Sequence, residues 1–134
     1  MADPRGERTK ENVNLIKKRE SFRPFAPVVL EEHFASLFET RGDHSCPYMQ
    51  CVYEIKRPDL FPAVTHVDGT SRVQTVNAKQ HPKLYALLSQ FYKATGCPML
   101  LNTSLNIKGM PLVNDEDDAR RFSEKYGVPI FGIH

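Results

Sequence analysis

Cationic side chains gather around the predicted end of the first helix. Lys17, Arg19 and Arg23 lie close together, and the run Pro-Phe-Ala-Pro at 24–27 follows them. Arginine offers a planar fork of donors and lysine a point charge, so cations held on a stiff backbone suit a phosphate group. The pattern indicates an anion site, and a solvated helix face is the alternative on charge alone.

A second candidate segment is His66-Val-Asp-Gly-Thr-Ser-Arg-Val-Gln74, which lies between two β-prone runs. Gly69 would let the backbone approach a ligand, while Thr70 and Arg72 offer donors. A simple hairpin turn with an exposed arginine fits the same pattern. The segment taken alone leaves both interpretations open.

A third candidate segment follows the apolar run 99–101. Asn102, Ser104 and Asn106 come directly after it, with Lys108 just beyond. Sheets in α/β proteins present ligand-binding groups where strands end, and these side chains can donate to phosphate oxygens or contact an amide. A turn capped by its own side chains is the alternative.

The sequence contains no motif for metal binding, serine hydrolysis, a P-loop or dinucleotide binding. The five histidines and three cysteines lack the spacing of metal ligands, so no metal site is predicted. GxSxG, Walker and GxGxxG segments are absent from the sequence. An odd number of cysteines without CxxC spacing, and no apolar run near the ~18 residues of a membrane helix, predict a cytoplasmic protein without a membrane partner.

Length and composition indicate one ordinary globular domain. The chain has 134 residues, of which 40% are hydrophobic and 25% charged. A net charge of +2 is too small to collect nucleic acid by itself. An RNA-binding role through the basic segment 17–23 is therefore the weakest of the functions considered.

Periodicity predicts an α/β or α+β fold with about three helices. The helices are expected over 7–21, where Val13 and Ile16 form a thin apolar stripe, around 84–91 between Pro82 and Gly96, and from a cap at Asn114 to Gly127. β-prone runs occur at 28–30, 48–55, 63–67, 71–76 and 99–101, with a turn expected at Asp68-Gly69.

The three candidate segments, in this order and with these gaps, resemble the C-terminal domain of the carbamoyltransferases related to nodulation, cephalosporin and aminoglycoside O-carbamoylation enzymes. The family's first motif is matched by Asp3-Pro4-Arg5, Asn14, Lys17, Arg19-Glu20 and the run Phe-Arg-Pro-Phe-Ala-Pro at 22–27. Its second motif, Pro-Ala-Val-Thr-His-Val-Asp-Gly-Thr-x-Arg-Val-Gln-Thr-Val, is matched at 62–76, and its third, Leu-Leu-Asn-Thr-Ser-x-Asn-x-Lys-Gly, at 100–109. The resemblance covers nearly the whole chain.

The resemblance implies a twisted mixed sheet like that of threonylcarbamoyl-adenylate synthases, a YrdC-like fold. It implies a basic cavity that uses carbamoyl phosphate and ATP, with Mg²⁺, to make carbamoyl-adenylate. A larger transferase domain would then pass the carbamoyl group to a hydroxyl. Catalytic roles are implied for Lys17, Arg72 and Ser104. Substrate or nucleotide binding is implied for Arg19, Arg23, Thr70, Asn102 and Asn106.

The start of the chain, just before Asp3, leads to two expectations about partners. The family's preceding strand, its Gly-Pro-Arg-Ala-Leu-Gly loop and the transferase domain would be missing, so residues 1–134 would be one domain that works with a transferase domain on another chain. An uncovered sheet edge could also pair two copies into a homodimer. A catalytically incomplete nucleotide-binding or regulatory remnant is the alternative to an enzyme.

Overall fold

The secondary structure follows the predicted order of helices and strands, except that one short helix is added and the strand predicted at 63–67 is absent. A computed structural model describes residues 1–20 and 22–131. Its elements are α1 (Thr9–Lys17), β1 (Ala26–Leu30), a 3₁₀ turn (Glu31–His33), α2 (Phe34–Leu37), β2 (Val52–Glu54), β3 (Thr70–Arg72), β4 (Gln74–Val76), α3 (Pro82–Thr95), β5 (Met99–Asn102) and α4 (Glu116–Tyr126). Within these ranges no helix is both long enough and apolar enough to cross a membrane.

A mixed three-stranded sheet, in the order β4-β1-β5, forms the centre of the fold. Strand β1 runs parallel to β4 and antiparallel to β5, so that Ala26 lies opposite Asn102. Ala2 adds a bridge on the free side of β5 through two backbone hydrogen bonds with Leu101, at 3.1 and 2.8 Å. Both long sides of β5, which leads to the third candidate segment, are therefore paired.

A two-stranded antiparallel ribbon, β2-β3, carries the second candidate segment. Arg72 of β3 lies opposite Val52 of β2. Only the fully buried Val73 separates β3 from β4. The predicted strand at 71–76 is thus one extended run that is divided between the ribbon and the central sheet.

The two faces of the central sheet bury different hydrophobic clusters. Val29 packs on one face with Phe34 and Phe38, while Val28 and Leu30 pack on the other with Leu88 of α3. A strand that is covered on both faces needs apolar residues at consecutive positions. This explains the uninterrupted apolar run at 28–30.

The predicted mixed class of helices and strands is confirmed, whereas the strand predicted at 63–67 is wrong. The carbonyl of Phe61 accepts from the backbone of Val64 at 3.3 Å and from the hydroxyl of Thr65 at 2.7 Å, which closes a turn. The side chains at 63 and 64 are both buried, because the turn packs into the core rather than alternating as a strand does. The likeness to threonylcarbamoyl-adenylate synthases stays a prediction.

Helix α1 buries polar residues, and of the predicted apolar stripe only Val13 packs partly against the core. Its buried residues are Asn14 and Lys17. Leu15 is 78% exposed and Ile16 is 40% exposed. A spacing of three residues places Asn14 and Lys17 on one side of the helix, so this side faces the protein because of the hydrogen bonds it makes.

Helix α4 begins one residue later than the predicted cap at Asn114 implies. Asp115 is the N-cap, and its carboxylate accepts from the backbone N–H of Asp118 at 2.9 Å. The helix ends at Gly127, as predicted, with a left-handed φ of 65°. The side chain of Asp115, rather than that of Asn114, satisfies the free N–H group of the first turn.

Replacing Asp115 with alanine should lower the free energy of unfolding by about 1 kcal/mol, the usual cost of losing an N-cap. Amide exchange at Asp118 should become faster, because its N–H loses its acceptor. Asn114→Ala is the matched control and should leave this exchange rate unchanged. Equal effects of the two substitutions would contradict the assignment of the cap.

Candidate functional site

Three arginines from two separate parts of the sequence line one cavity. Arg19 and Arg23 follow α1, Arg72 ends β3, and Asn102 ends β5. The cavity has a volume of about 400 Å³, and we call it the arginine cavity. Its remaining lining residues are Pro24, Phe25, Ala26, His66 and Thr103. No carboxylate occurs among these lining residues, so the described wall is strongly positive.

The end of α1 fixes the segment that carries Arg19 and Arg23. Lys18 adopts a left-handed conformation with φ 53°, which turns the chain out of the helix. The backbone N–H of Arg19 then donates to the carbonyl of Asn14 at 2.9 Å. The buried side-chain amide of Asn14 donates to the carbonyl of Arg23 at 3.1 Å. Asn14 thus holds both ends of the arginine segment.

The guanidinium of Arg19 lies against an aromatic wall. Its central carbon is 4.8 Å from the ring centroid of Phe25, whose own side chain belongs to the core. Burial, and then the positive charge of Arg23, lower the pKa of Arg19. Both causes disfavour the positive charge, although an arginine with such a shift stays protonated at neutral pH. A bound anion would offset this cost directly.

The turn before β3 places His66 and Arg72 beside the cavity. The backbone N–H of His66 donates to the carbonyl of Thr70 at 2.7 Å, and the N–H of Gly69 donates back to His66 at 3.0 Å. Gly69 has φ 80°, which favours glycine at this position of the predicted turn. Arg72 itself is exposed. Its guanidinium makes no hydrogen bond or ion pair within the described ranges.

Thr70 lies outside the arginine cavity. Its hydroxyl donates to the carboxylate of Asp68 at 2.6 Å. Its side chain lines a second cavity, of about 280 Å³, together with Tyr53 and Cys51. The placement of Thr70 beside Arg72 in the sequence therefore does not bring the two side chains into the same cavity.

The buried Lys17 meets the exposed Ser104 and the half-buried Asn106 in a cluster, which we call the lysine lock. The ammonium of Lys17 is close to the backbone oxygens of Ser104 and Asn106, at 2.5 and 3.0 Å. It also contacts Ser104 Oγ at 3.3 Å and Asn106 Oδ1 at 2.9 Å. Lys17 is only 5% exposed, and burial, followed by the charge of Arg19, lowers its pKa. The lysine lock joins the end of α1 to the loop after β5.

A second link between the same segments passes through Glu20. One oxygen of its carboxylate, Oε1, accepts a hydrogen bond from the ammonium of Lys108, and Oε2 lies 3.9 Å from Nη1 of Arg23. The hydrogen bond from Lys108 is the largest cause of a lowered pKa of Glu20. In the sequence, Glu20 and Lys108 belong to the first and third family motifs, but nothing there indicates that they pair.

The predicted site residues fall into three places. Four of them line the arginine cavity, namely Arg19, Arg23, Arg72 and Asn102. Lys17, Ser104 and Asn106 form the lysine lock, and Thr70 lies elsewhere. Sequence reasoning assigned no role to Phe25, His66 or Glu20. The chemical role of each residue stays a prediction.

No group of three potential metal ligands occurs among histidine, cysteine, aspartate and glutamate side chains in the described part of the chain. His134 lies outside the described residues.

Known proteins resemble this chain over most of its length. Nodulation protein NolO of Bradyrhizobium diazoefficiens is 42% identical over 123 residues, which are 89% of this chain and 22% of NolO. The 3'-hydroxymethylcephem-O-carbamoyltransferase of Amycolatopsis lactamdurans is 38% identical over 128 residues, which are 96% of this chain and 24% of that protein. An uncharacterized protein of Methanocaldococcus jannaschii is 38% identical over 122 residues, 89% of this chain and 20% of its own length. The chain thus spans less than a quarter of the length of these relatives.

A protein-family model covers the same region. The family described as "Carbamoyltransferase C-terminus" matches residues 1–133. This match includes the arginine cavity, the lysine lock and every strand of both sheets. The chain therefore belongs to the carbamoyltransferase C-terminal family.

Proposed function

We propose that this chain contributes to carbamoyl transfer by binding carbamoyl phosphate and ATP in the arginine cavity and forming carbamoyl-adenylate. The observation that carries the proposal is the convergence of Arg19, Arg23 and Arg72 on one cavity whose described lining has no carboxylate. The relatives named as O-carbamoyltransferases support the proposal that the carbamoyl group is the group transferred. The phosphates of both substrates would bind the arginines.

The size and the lining of the cavity suit such substrates. A volume of about 400 Å³ lies within the range of roughly 300–1,000 Å³ that is usual for ligand pockets. The arginines supply forked donors for phosphate oxygens, and Asn102 adds an amide. Phe25 provides an apolar wall.

The proposed reaction has two bond-exchange steps. In the first step the oxygen of water forms a bond to the phosphorus of carbamoyl phosphate, while the bond from that phosphorus to the carbamoyl oxygen breaks. Carbamate leaves with the electron pair of this bond, inorganic phosphate keeps the water oxygen, and a proton is released to solvent. A carbamate oxygen then forms a bond to the α-phosphorus of ATP, while the bond from that phosphorus to its bridging oxygen breaks. Pyrophosphate leaves with the electron pair of this bond, and carbamoyl-adenylate remains. The arginines would align the two anions and neutralise the charge on the leaving group.

Mg²⁺ bound to ATP would add to this neutralisation. Since the described lining offers no carboxylate, the phosphate oxygens of ATP would hold the ion. A transferase domain, supplied by another chain or by further sequence, would pass the carbamoyl group from carbamoyl-adenylate to a hydroxyl.

Pyrophosphate release that requires both ATP and carbamoyl phosphate would test this proposal. Arg23→Gln should weaken the binding of each substrate at least about 10-fold, because it removes a charged donor from the cavity. Arg57→Gln is the matched control: Arg57 also pairs with a carboxylate and is similarly exposed, but it lies outside the cavity. It should behave as the wild type.

Three results would separate the alternatives. Binding of both substrates without pyrophosphate release would favour a regulatory or incomplete remnant. Saturable binding with release would support carbamoyl-adenylate formation. Equal effects of Arg23→Gln and Arg57→Gln would show that the arginine cavity is not where the anions bind.

A further inference from the structure

The carboxylate of Glu20 lies between the arginine cavity and a cation outside it. Oε1 accepts from the ammonium of Lys108, and Oε2 is 3.9 Å from Nη1 of Arg23. Oε2 is buried and has no hydrogen-bond partner within the described ranges. Glu20 is therefore an acceptor that is hydrogen-bonded to Lys108 through one oxygen and only in loose contact with Arg23 through the other.

A carboxylate in this position competes with a phosphate ligand. Both groups present paired oxygens to a guanidinium and can form the same forked pair with it. The distance of 3.9 Å from Arg23 is longer than a hydrogen bond, so Arg23 keeps its donors available. A modest rotation of the Glu20 side chain would shorten this contact and would neutralise part of the cavity.

Lys108 holds the carboxylate in its observed orientation. Lys108 follows the lysine lock in sequence, and its backbone N–H donates to the carbonyl of Lys17 at 3.0 Å. The backbone of Lys108 is thus tied to the end of α1, and its ammonium contacts Oε1, the carboxylate oxygen other than the one near Arg23. Glu20 also interacts electrostatically with Arg19, because its negative charge acts to raise the pKa of Arg19. Any movement of Glu20 therefore changes the charge that two cavity arginines offer.

We propose that Lys108 is a positioning residue, which keeps the arginine cavity available to anions by holding the carboxylate of Glu20 away from Arg23 and Arg19. The inference rests on the proposed function, since it takes the cavity as the phosphate site. Glu20 acts as an internal competitor of the ligand, and Lys108 restrains that competitor. Neither residue needs to touch the substrate.

Two single variants that change the affinity for an anion in opposite directions distinguish this role from a merely structural one. Inorganic pyrophosphate is the probe, and its affinity is measured by calorimetric titration of the full chain at low and high ionic strength. Lys108→Gln frees Glu20 to pair with Arg23, so it should weaken binding by roughly 2–5-fold, the range that an exposed ion pair supports. Glu20→Gln removes the competitor and should tighten binding by a similar factor.

The double variant and a conservative variant complete the test. Lys108→Gln combined with Glu20→Gln should bind as tightly as Glu20→Gln alone, because without the carboxylate of Glu20 Lys108 has no competitor to restrain. Lys108→Arg keeps the ion pair and should bind as the wild type does. All differences should shrink at high ionic strength, where exposed charges are screened.

Each contrary result overturns a specific claim. Weaker binding in both single variants would show that the Glu20–Lys108 pair is only a structural link, and so would wild-type affinity in Lys108→Gln; either result leaves the proposed function intact. Failure of both the wild type and Arg57→Gln to bind pyrophosphate would overturn the proposed function and this inference together.

Discussion

Replacing Arg72 with alanine is expected to weaken the binding of carbamoyl phosphate or ATP by about 1.5–3 kcal/mol, roughly 10- to 150-fold. The side chain lines the arginine cavity from the exposed face of the β2-β3 ribbon. No hydrogen bond or ion pair restrains its guanidinium in the described structure, so its donors are available to a ligand. Calorimetric titration with each substrate measures the loss.

The stability of the Arg72→Ala variant should stay close to that of the wild type. A surface side chain without partners contributes little to folding, and its removal is usually worth within about 0.5 kcal/mol. Arg120→Ala on α4 is a suitable control, since Arg120 is exposed and lies outside the cavity. Unchanged affinity with a large fall in melting temperature would mean that Arg72 has a structural role instead.

Replacing Lys17 with methionine is expected to lower the free energy of unfolding by about 1.5–3 kcal/mol. Methionine fills the space of the aliphatic chain but has no N–H groups, so the oxygens of Ser104 and Asn106 lose a charged donor. The loop after β5 should also exchange its amide hydrogens faster. Denaturant unfolding and hydrogen exchange measure these two effects.

Lys18→Met is the matched control for the lysine lock. Lys18 is the next residue along the chain and is exposed. Its substitution should leave both stability and loop exchange unchanged. If Lys17→Met were as stable as the wild type but bound substrates poorly, Lys17 would act on the ligand itself, as the family resemblance implies, and the lock would be secondary.

The sequence predicted the candidate arginines but not the direction in which Lys17 points. Lys17 and Arg19 stand two positions apart in one basic segment, and charge alone treats them alike. The buried polar face of α1 separates them: Lys17 points inward with Asn14, whereas Arg19 follows the left-handed Lys18 and reaches the cavity. Helix periodicity assumes that apolar residues face inward, and the exposed Leu15 and Ile16 show why this assumption fails here.

Local sequence pattern is also insufficient to assign the β-prone runs. Consecutive apolar residues were correctly read as a strand at 28–30, where pairing on both sides and packing on both faces support it. Ala63 and Val64 have a similar character but form a buried turn, since hydrogen bonds to Phe61 close the chain on itself. Local composition cannot distinguish these cases, because the deciding hydrogen bonds and packing contacts depend on the tertiary arrangement.

The single residue between β3 and β4 limits how the cavity can respond to a ligand. Val73 is fully buried, the backbone before it is paired with β2, and the backbone after it is paired with β1. The backbone of Arg72 is therefore held in place, and its guanidinium can approach an anion only by rotation about side-chain torsions. The adjustment of Arg72 on binding is thus confined to its side-chain rotamer, which costs about 0.5–1.5 kcal/mol to immobilise. The ribbon and the sheet hold the backbone of Arg72 rigidly, so selectivity for the spacing of the anions would come from its distances to Arg19 and Arg23.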